Sequence, residues 1–111
     1  MRMMLRASVD ADSGNHAMAN GTMDQVISDT IARIKPEASY FFVDGGERSA
    51  LFVFDLKNAS DVPGIVEPIM MALNAQVDLI PVLSHADLQK GMKAWMGGGK
   101  KSGKKKSGKK S

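Results

Sequence analysis

The feature that most constrains the fold is a pair of aromatic and β-branched runs on either side of a short turn. Residues 38–43 and 49–56 flank the tetrapeptide Asp44-Gly45-Gly46-Glu47. Runs of this composition favour strands, and glycine accepts the positive φ of a tight hairpin turn. We therefore predict an antiparallel hairpin. The centre of its turn places Tyr40 opposite Leu51.

A strand and a helix are predicted before this hairpin. In residues 2–9, the apolar residues Met3, Leu5, Ala7 and Val9 alternate with a second set, Arg2, Met4, Arg6 and Ser8, which is the pattern of a strand with one apolar face. A loop rich in Gly, Asn and Asp is expected over residues 10–21. Thr22 and Gln25 then read as a capping box, and apolar residues recur at helical spacing until Pro36, which ends the helix.

A second helix and a last strand follow the hairpin. Ser60 or Asp61 can cap a helix whose apolar stripe runs to Leu73. Residues 77–83 read as a strand. Pro81 in that strand has no N–H to donate to a ladder, so we expect the strand at an edge of the sheet.

A short third helix is predicted after the last strand, opened by Ser84 with Asp87 and ended by the glycines at 97–99. The element order is then βαββαβ plus a helix. Right-handed crossovers predict a ferredoxin-like α+β fold, with an antiparallel four-stranded sheet in the order 4-1-3-2 and helices on one face. We expect one domain over residues 1–96 and a disordered Gly/Ser/Lys tail over 97–111.

Both faces of the predicted sheet are apolar. We assign the richer face to the helix side: Met3, Leu5, Ala7, Phe41, Val43, Ala50, Phe52 and Phe54. The opposite face carries Met4, Tyr40, Phe42, Leu51, Val53, Ile80 and Val82. That is more contiguous apolar surface than a monomer usually exposes. A second copy of the chain is the economical cover, which predicts a two-fold homodimer; a monomer with a hydrated face is the alternative.

Three segments resemble the ferredoxin-like dimeric α/β-barrel proteins: the hairpin Tyr40-Phe41-Phe42-Val43-Asp44-Gly45-Gly46, the pair Glu67-Pro68, and the last strand over residues 77–82. This superfamily includes muconolactone isomerases and cofactor-free antibiotic-biosynthesis monooxygenases. The resemblance covers residues 1 to about 95 and is architectural. No catalytic motif of either enzyme family stands out, so no catalytic residue is carried over.

Three charged residues are predicted on the open face: Arg6, Asp55 and Asp78. Because the first strand lies between the third and fourth, Arg6 is expected within reach of either carboxylate. In a dry dimer cavity these groups, with Tyr40, would bind a small polar or aromatic molecule, or catalyse proton transfer with Asp as the base. An interfacial ion-pair network and simple solvation at strand ends are the alternatives.

Histidine and methionine give weaker signals. His16 lies in the predicted loop and is a candidate ligand contact, although a solvated loop histidine is the simpler interpretation. His85 has no second ligand at metal-site spacing, so no metal site is predicted. The nine methionines fit core positions, and no cofactor is predicted.

The C-terminal tail carries the strongest compositional signal. It contains seven of the 15 basic residues and no apolar residue, which leaves eight basic against 12 acidic residues, a net charge of −4, before it. The seven are Lys100, Lys101, Lys104, Lys105, Lys106, Lys109 and Lys110. Such a tail binds nucleic acid or other polyanions through counterion release. A solubilising appendage and an added lysine tag are the competing interpretations.

Composition also limits the setting of the protein. The sequence has no cysteine, so no disulfide or thiolate chemistry is available. No apolar run is long enough for a membrane span, and the first residues do not form a secretory signal. We expect a soluble, cytoplasmic protein. Three functions stay open: binding of a small ligand by a homodimer, polyanion binding through the tail, and cofactor-free isomerase or monooxygenase chemistry.

Overall fold

The computed structural model describes the backbone of residues 1–102 and the side chains of residues 1–97. The elements are β1 (Arg2–Val9), α1 (Ala11–Ala19), α2 (Thr22–Ile34), β2 (Ala38–Asp44), β3 (Glu47–Asp55), a 3-10 turn (Ala59–Asp61), α3 (Val62–Leu73), β4 (Gln76–Pro81) and α4 (His85–Ser102). The fold is α+β.

The four strands form one antiparallel sheet with neighbours in the order β2-β3-β1-β4, which is β4-β1-β3-β2 when read from the other edge. The hairpin register is as predicted, with Tyr40 opposite Leu51. Both glycines of its turn have positive φ, +61° at Gly45 and +78° at Gly46. Pro81 ends β4, which is an edge strand as predicted.

The hydrophobic core lies between the sheet and the helices α2 and α3. Alternate residues of β1 are buried, and Leu5 is fully inaccessible. The other buried apolar residues are Met3, Ala7, Val9, Ala17, Met23, Ile34, Phe52, Phe54, Ile65, Ile69 and Leu73. Removing a large apolar side chain from water stabilises the fold by about 1.5–3 kcal/mol. The burial of Met3, Leu5 and Ala7 on β1 and of Phe52 and Phe54 on β3 confirms that these residues face the helices.

One helix was not predicted: residues 11–19 form α1, where a loop was expected. Asp10 caps it, since the Ser13 N–H donates to the Asp10 carboxylate at 3.0 Å. That hydrogen bond lowers the pKa of Asp10. The composition suggested a loop because Gly14 and Asn15 are poor helix formers. Side-chain capping and burial of Ala17 override that preference.

The start of α2 also differs from the prediction. The capping box of Thr22 with Gln25 is not formed: the N-cap is Gly21, in the left-handed region at φ 81°, and it has no side-chain cap. Gln25 instead donates to Asp29 one turn further along. The helix ends at Ile34, before the proline, as predicted.

The last helix is longer than predicted. Its start is confirmed, because Ser84 and Asp87 cap each other: the Asp87 N–H donates to Ser84 Oγ at 3.0 Å, and the Ser84 N–H to the Asp87 carboxylate at 3.1 Å. The backbone stays helical through the glycines at 97–99 to Ser102, so the helix does not end at those glycines. A glycine costs a helix about 1 kcal/mol but does not forbid it.

The outer strand β2 is not covered by the helices, which corrects a second prediction. Phe41 and Val43 were expected beneath the helix layer, yet they are 55% and 74% exposed. The helices bury the residues of β1 and β3, and no residue of β2 is buried. An opening is therefore left between the helices and this edge of the sheet.

Candidate ligand-binding cleft and the open face of the sheet

The opening is an apolar cleft of about 430 Å³. Its inner wall consists of residues buried in the core, among them Val9, Met23 and Phe52. Exposed side chains of Phe41 and Val43 lie at its mouth. The rest of the lining consists of Ala7, Met18, Val26, Ile27, Thr30, Phe42, Arg48, Ser49, Ala50, Ile69 and Leu73. A volume of this size lies within the range of small-molecule sites.

The polar groups inside the cleft are already paired. The Thr30 hydroxyl donates to the Val26 carbonyl at 2.7 Å. Ser49 Oγ lies 3.0 Å from Ser8 Oγ and donates to the Glu47 carbonyl at 3.2 Å. Among the described residues, no buried side-chain polar atom lacks a hydrogen-bond partner. The interior is thus suited to an apolar group.

Arg48 is the one charged residue that the described part of the chain contributes to the lining of the cleft. It is exposed, and its Nη2 donates to Asn15 Oδ1 on α1 at 3.1 Å. The absence of a side chain at Gly14 allows this approach, because a Cβ there would lie 2.6 Å from Arg48 Nη1. Among residues 1–97, Arg48 takes part in no ion pair.

On the opposite, open face of the sheet, Arg6 has a partner that was not predicted. Its guanidinium pairs with Asp44 at the end of β2 and lies over the Phe42 ring, 5.5 Å from the centroid. Asp78 is its cross-strand neighbour on β4 and lines the same shallow surface pocket. The structure therefore brings Arg6 and Asp78 together, with Asp44 added.

Asp55 is not part of that group. It lies opposite Arg2, four residues along β1 from Arg6. The Met1 ammonium and the Lys57 ammonium bind its carboxylate at 2.8 and 2.9 Å. The ammonium of Met1 and then Lys57 lower the pKa of Asp55 from 3.8 to about 2.

Arg2 connects the sheet to α4. Its Nε donates to Glu37 at 2.9 Å, and its Nη1 donates to Asp87 at 3.0 Å. Glu37 and then Asp87 raise the pKa of Arg2. The Ser84 hydrogen bonds lower the pKa of Asp87, and Arg2 adds to that effect. The first turn of α4 is therefore held on the open side of the sheet.

The remaining predicted site residues are dispersed. Tyr40 is 64% exposed on the open face. His16 is exposed, but on α1 rather than in a loop, and so it lies in the helix layer. The side chains of the seven tail lysines lie outside the described residues. The sequence-based predictions did not include the cleft or the position of Arg48 beside it. The strand pattern could have shown that Phe41, Val43 and Arg48 share one face of the sheet, because Val43 lies opposite Arg48.

Beyond its first turn, α4 presents an apolar stripe that the described part of the chain leaves uncovered. Leu88, Met92 and Trp95 lie at helical spacing and are all exposed. No group of three potential metal ligands is found among the described residues. None of the described helices is both long and apolar enough to cross a membrane.

The chain matches no protein-family model and has no significant match among curated proteins.

Proposed function

We propose that this protein is a small-molecule-binding homodimer of the ferredoxin-like dimeric α/β-barrel type. The observation that carries the proposal is the apolar cleft of about 430 Å³ between the helices and the β2 edge. A concave, mostly apolar pocket with few polar groups is the usual form of a small-ligand site. An aromatic or aliphatic ligand body fits this lining.

The position of the ligand differs from the sequence-based hypothesis, which placed it between the sheet and a partner subunit. Arg6 is already neutralised by Asp44 and stacked on Phe42. The cleft opens on the other, helix-bearing side of the sheet. Two copies that pair through their open faces would leave it accessible.

Homodimer formation is supported by two apolar surfaces that residues 1–97 leave uncovered. The open face carries Tyr40 and Ile80 as exposed side chains, with Met4, Leu51 and Val53 half-buried beside them. The stripe of α4 is the second surface. Because the Arg2–Asp87 ion pair holds the start of α4 on the open side, both surfaces are positioned to meet a second copy.

Catalysis by the predicted residues is less well supported. Asp55, one of the two proposed bases, is held by two ammonium groups at a pKa of about 2, and a carboxylate with so low a pKa is a weak base at neutral pH. Asp78 beside Arg6 remains the only predicted acid–base pair that the structure brings together.

The proposal is tested by native mass spectrometry of the full chain, purified without denaturation. We expect a dimer that carries a small apolar molecule. Ala50 borders the cleft, so Ala50→Phe should fill it and abolish the bound mass. Ala32→Phe, on the exposed side of α2, is the matched control and should retain it. A bound molecule that survives Ala50→Phe would exclude the cleft as its site.

A second candidate function is polyanion binding through the lysine-rich tail. The sequence observation that favours it is the twice-repeated Lys-Lys-Ser-Gly-Lys over residues 100–109. Such binding would lack sequence specificity, because the tail holds no aromatic side chain for base stacking. A cytoplasmic location fits the absence of cysteine and belongs to the same proposal.

A further inference from the structure

We propose that the ligand of the cleft is an apolar molecule bearing one carboxylate, and that the Arg48 guanidinium is its anchor. This inference rests on the proposed function, since it assigns a chemical class to the ligand of the same cleft. Three observations support it: the paired polar groups of the interior, the position of Arg48, and the space provided by Gly14.

The interior of the cleft selects an apolar ligand body. Its hydroxyl groups, those of Thr30 and Ser49, already have partners within the protein. Because the protons of both hydroxyls are already donated, a ligand acceptor such as a carboxylate oxygen placed against this wall would lose its water without gaining a hydrogen bond, at a cost of about 1–3 kcal/mol. An anionic group of a bound ligand must therefore remain at the mouth.

The charge at the mouth of the cleft favours a ligand with one anionic group. Among residues 1–97, Arg48 is the only charged side chain that lines the cleft, and one of its N–H groups donates to Asn15. Nε and Nη1 make no hydrogen bond within residues 1–97, so the guanidinium keeps N–H donors for a carboxylate. A second anionic group on the ligand would find no further cation among the lining residues of the described part of the chain.

Gly14 sets the position of this guanidinium. A Cβ at residue 14 would lie 2.6 Å from Arg48 Nη1 and would displace it from the mouth. Since Gly14 is inside α1, alanine there also improves helix propensity. Gly14→Ala is therefore a variant that displaces the Arg48 guanidinium from the mouth without removing it, and we expect it to preserve the fold.

The test uses two probes of the same shape, 2-naphthoate and its neutral amide 2-naphthamide. Binding to the full chain is measured by isothermal titration calorimetry at neutral pH. We expect wild type to bind the carboxylate at least about tenfold more tightly, the effect of one charge-assisted hydrogen-bond pair. Arg48→Met and Gly14→Ala should bring the ratio close to one by weakening naphthoate alone. Arg33→Met, an exposed arginine outside the cleft, should leave the ratio unchanged.

The other outcomes separate the possible failures. Equal affinities for both probes in wild type would overturn the Arg48 anchor and leave the cleft as a small-molecule site. Failure of both probes to bind would overturn the proposed function together with this inference. Binding that appears only on dilution, or only in Trp95→Ser, would show that α4 of a second copy fills the cleft, and would also overturn the inference. The comparison of probes in wild type needs no variant to fold.

Discussion

Gly14 on α1 and Arg48 on β3 are in such close approach that a Cβ on the glycine would lie 2.6 Å from Nη1 of the arginine. This juxtaposition links the helix that the sequence failed to predict to the mouth of the cleft. Asn15, the next residue of the same helix, accepts the hydrogen bond that orients the guanidinium. The first helix therefore builds one side of the candidate site.

Gly14→Ala should raise the thermal midpoint or leave it unchanged, despite this close approach. Replacing a mid-helix glycine stabilises a helix by about 0.8–1.0 kcal/mol. The opposing loss is one exposed hydrogen bond, because the flexible end of Arg48 can move away. Differential scanning calorimetry measures the midpoint, and side-chain amide NMR of Asn15 reports the displacement. A drop of several degrees would mean that the arginine cannot move.

Leu5→Ala should destabilise the protein by about 2–5 kcal/mol. Leu5 is fully buried on the helix-facing side of β1, so its truncation removes apolar contacts and leaves a cavity. Chemical denaturation monitored by circular dichroism gives the free energy of unfolding. Met71→Ala is the control: Met71 is 81% exposed, and its loss should change that free energy by less than about 0.5 kcal/mol. Similar values for the two variants would contradict the location of the core.

Tyr40→Asp should weaken the homodimer by more than about 100-fold. It would place a carboxylate within the paired open faces, and an unpaired buried charge costs about 3–5 kcal/mol. Tyr40 is exposed in the single chain, so the subunit itself should still fold. Sedimentation velocity over a concentration series measures the dissociation constant. Met71→Asp is the control: Met71 is also an exposed, largely apolar side chain, but it lies on α3, so this substitution should leave the dimer intact. A Tyr40→Asp dimer of normal strength would place the interface elsewhere.

Acid should destabilise the protein partly through Asp55. Its pKa is lowered from 3.8 to about 2, so its ionised form stabilises the fold above pH 3.8. That contribution is lost as the pH falls through the window from 3.8 to about 2. Asp55→Asn should therefore show a shallower loss of stability across this window. Lys57→Met should reproduce part of the change, because Lys57 is the second cause of the shift. Parallel curves for wild type and Asp55→Asn would contradict the assigned ion pairs.

Removal of residues 97–111 should abolish polyanion binding if the lysines carry it. The logarithm of the full chain's affinity for single-stranded DNA should fall linearly with the logarithm of salt concentration, with a slope of roughly −0.7 per neutralised phosphate. Fluorescence anisotropy at several salt concentrations measures this slope. Equal binding by the shortened chain would move the site to the folded part.

The sequence alone determined the strands, the hairpin register and the edge position of β4. These features depend on local chemistry: period-two alternation, two glycines with positive φ, and a proline without an N–H. The bounds of α1 and α4 were less predictable. In α1, an aspartate cap and burial of Ala17 outweigh the poor helix propensity of Gly14 and Asn15.

The candidate site was decided by the tertiary structure. Sequence pattern places Phe41 and Val43 on the helix side of the sheet, but it does not say how far the helices extend over that side. Their packing over β1 and β3 leaves β2 uncovered, and this opens the cleft. Likewise, strand order brings Arg6 close to Asp78, whereas only side-chain reach across β3 pairs it with Asp44. Local pattern fixes which face a residue occupies, and three-dimensional packing fixes what covers it.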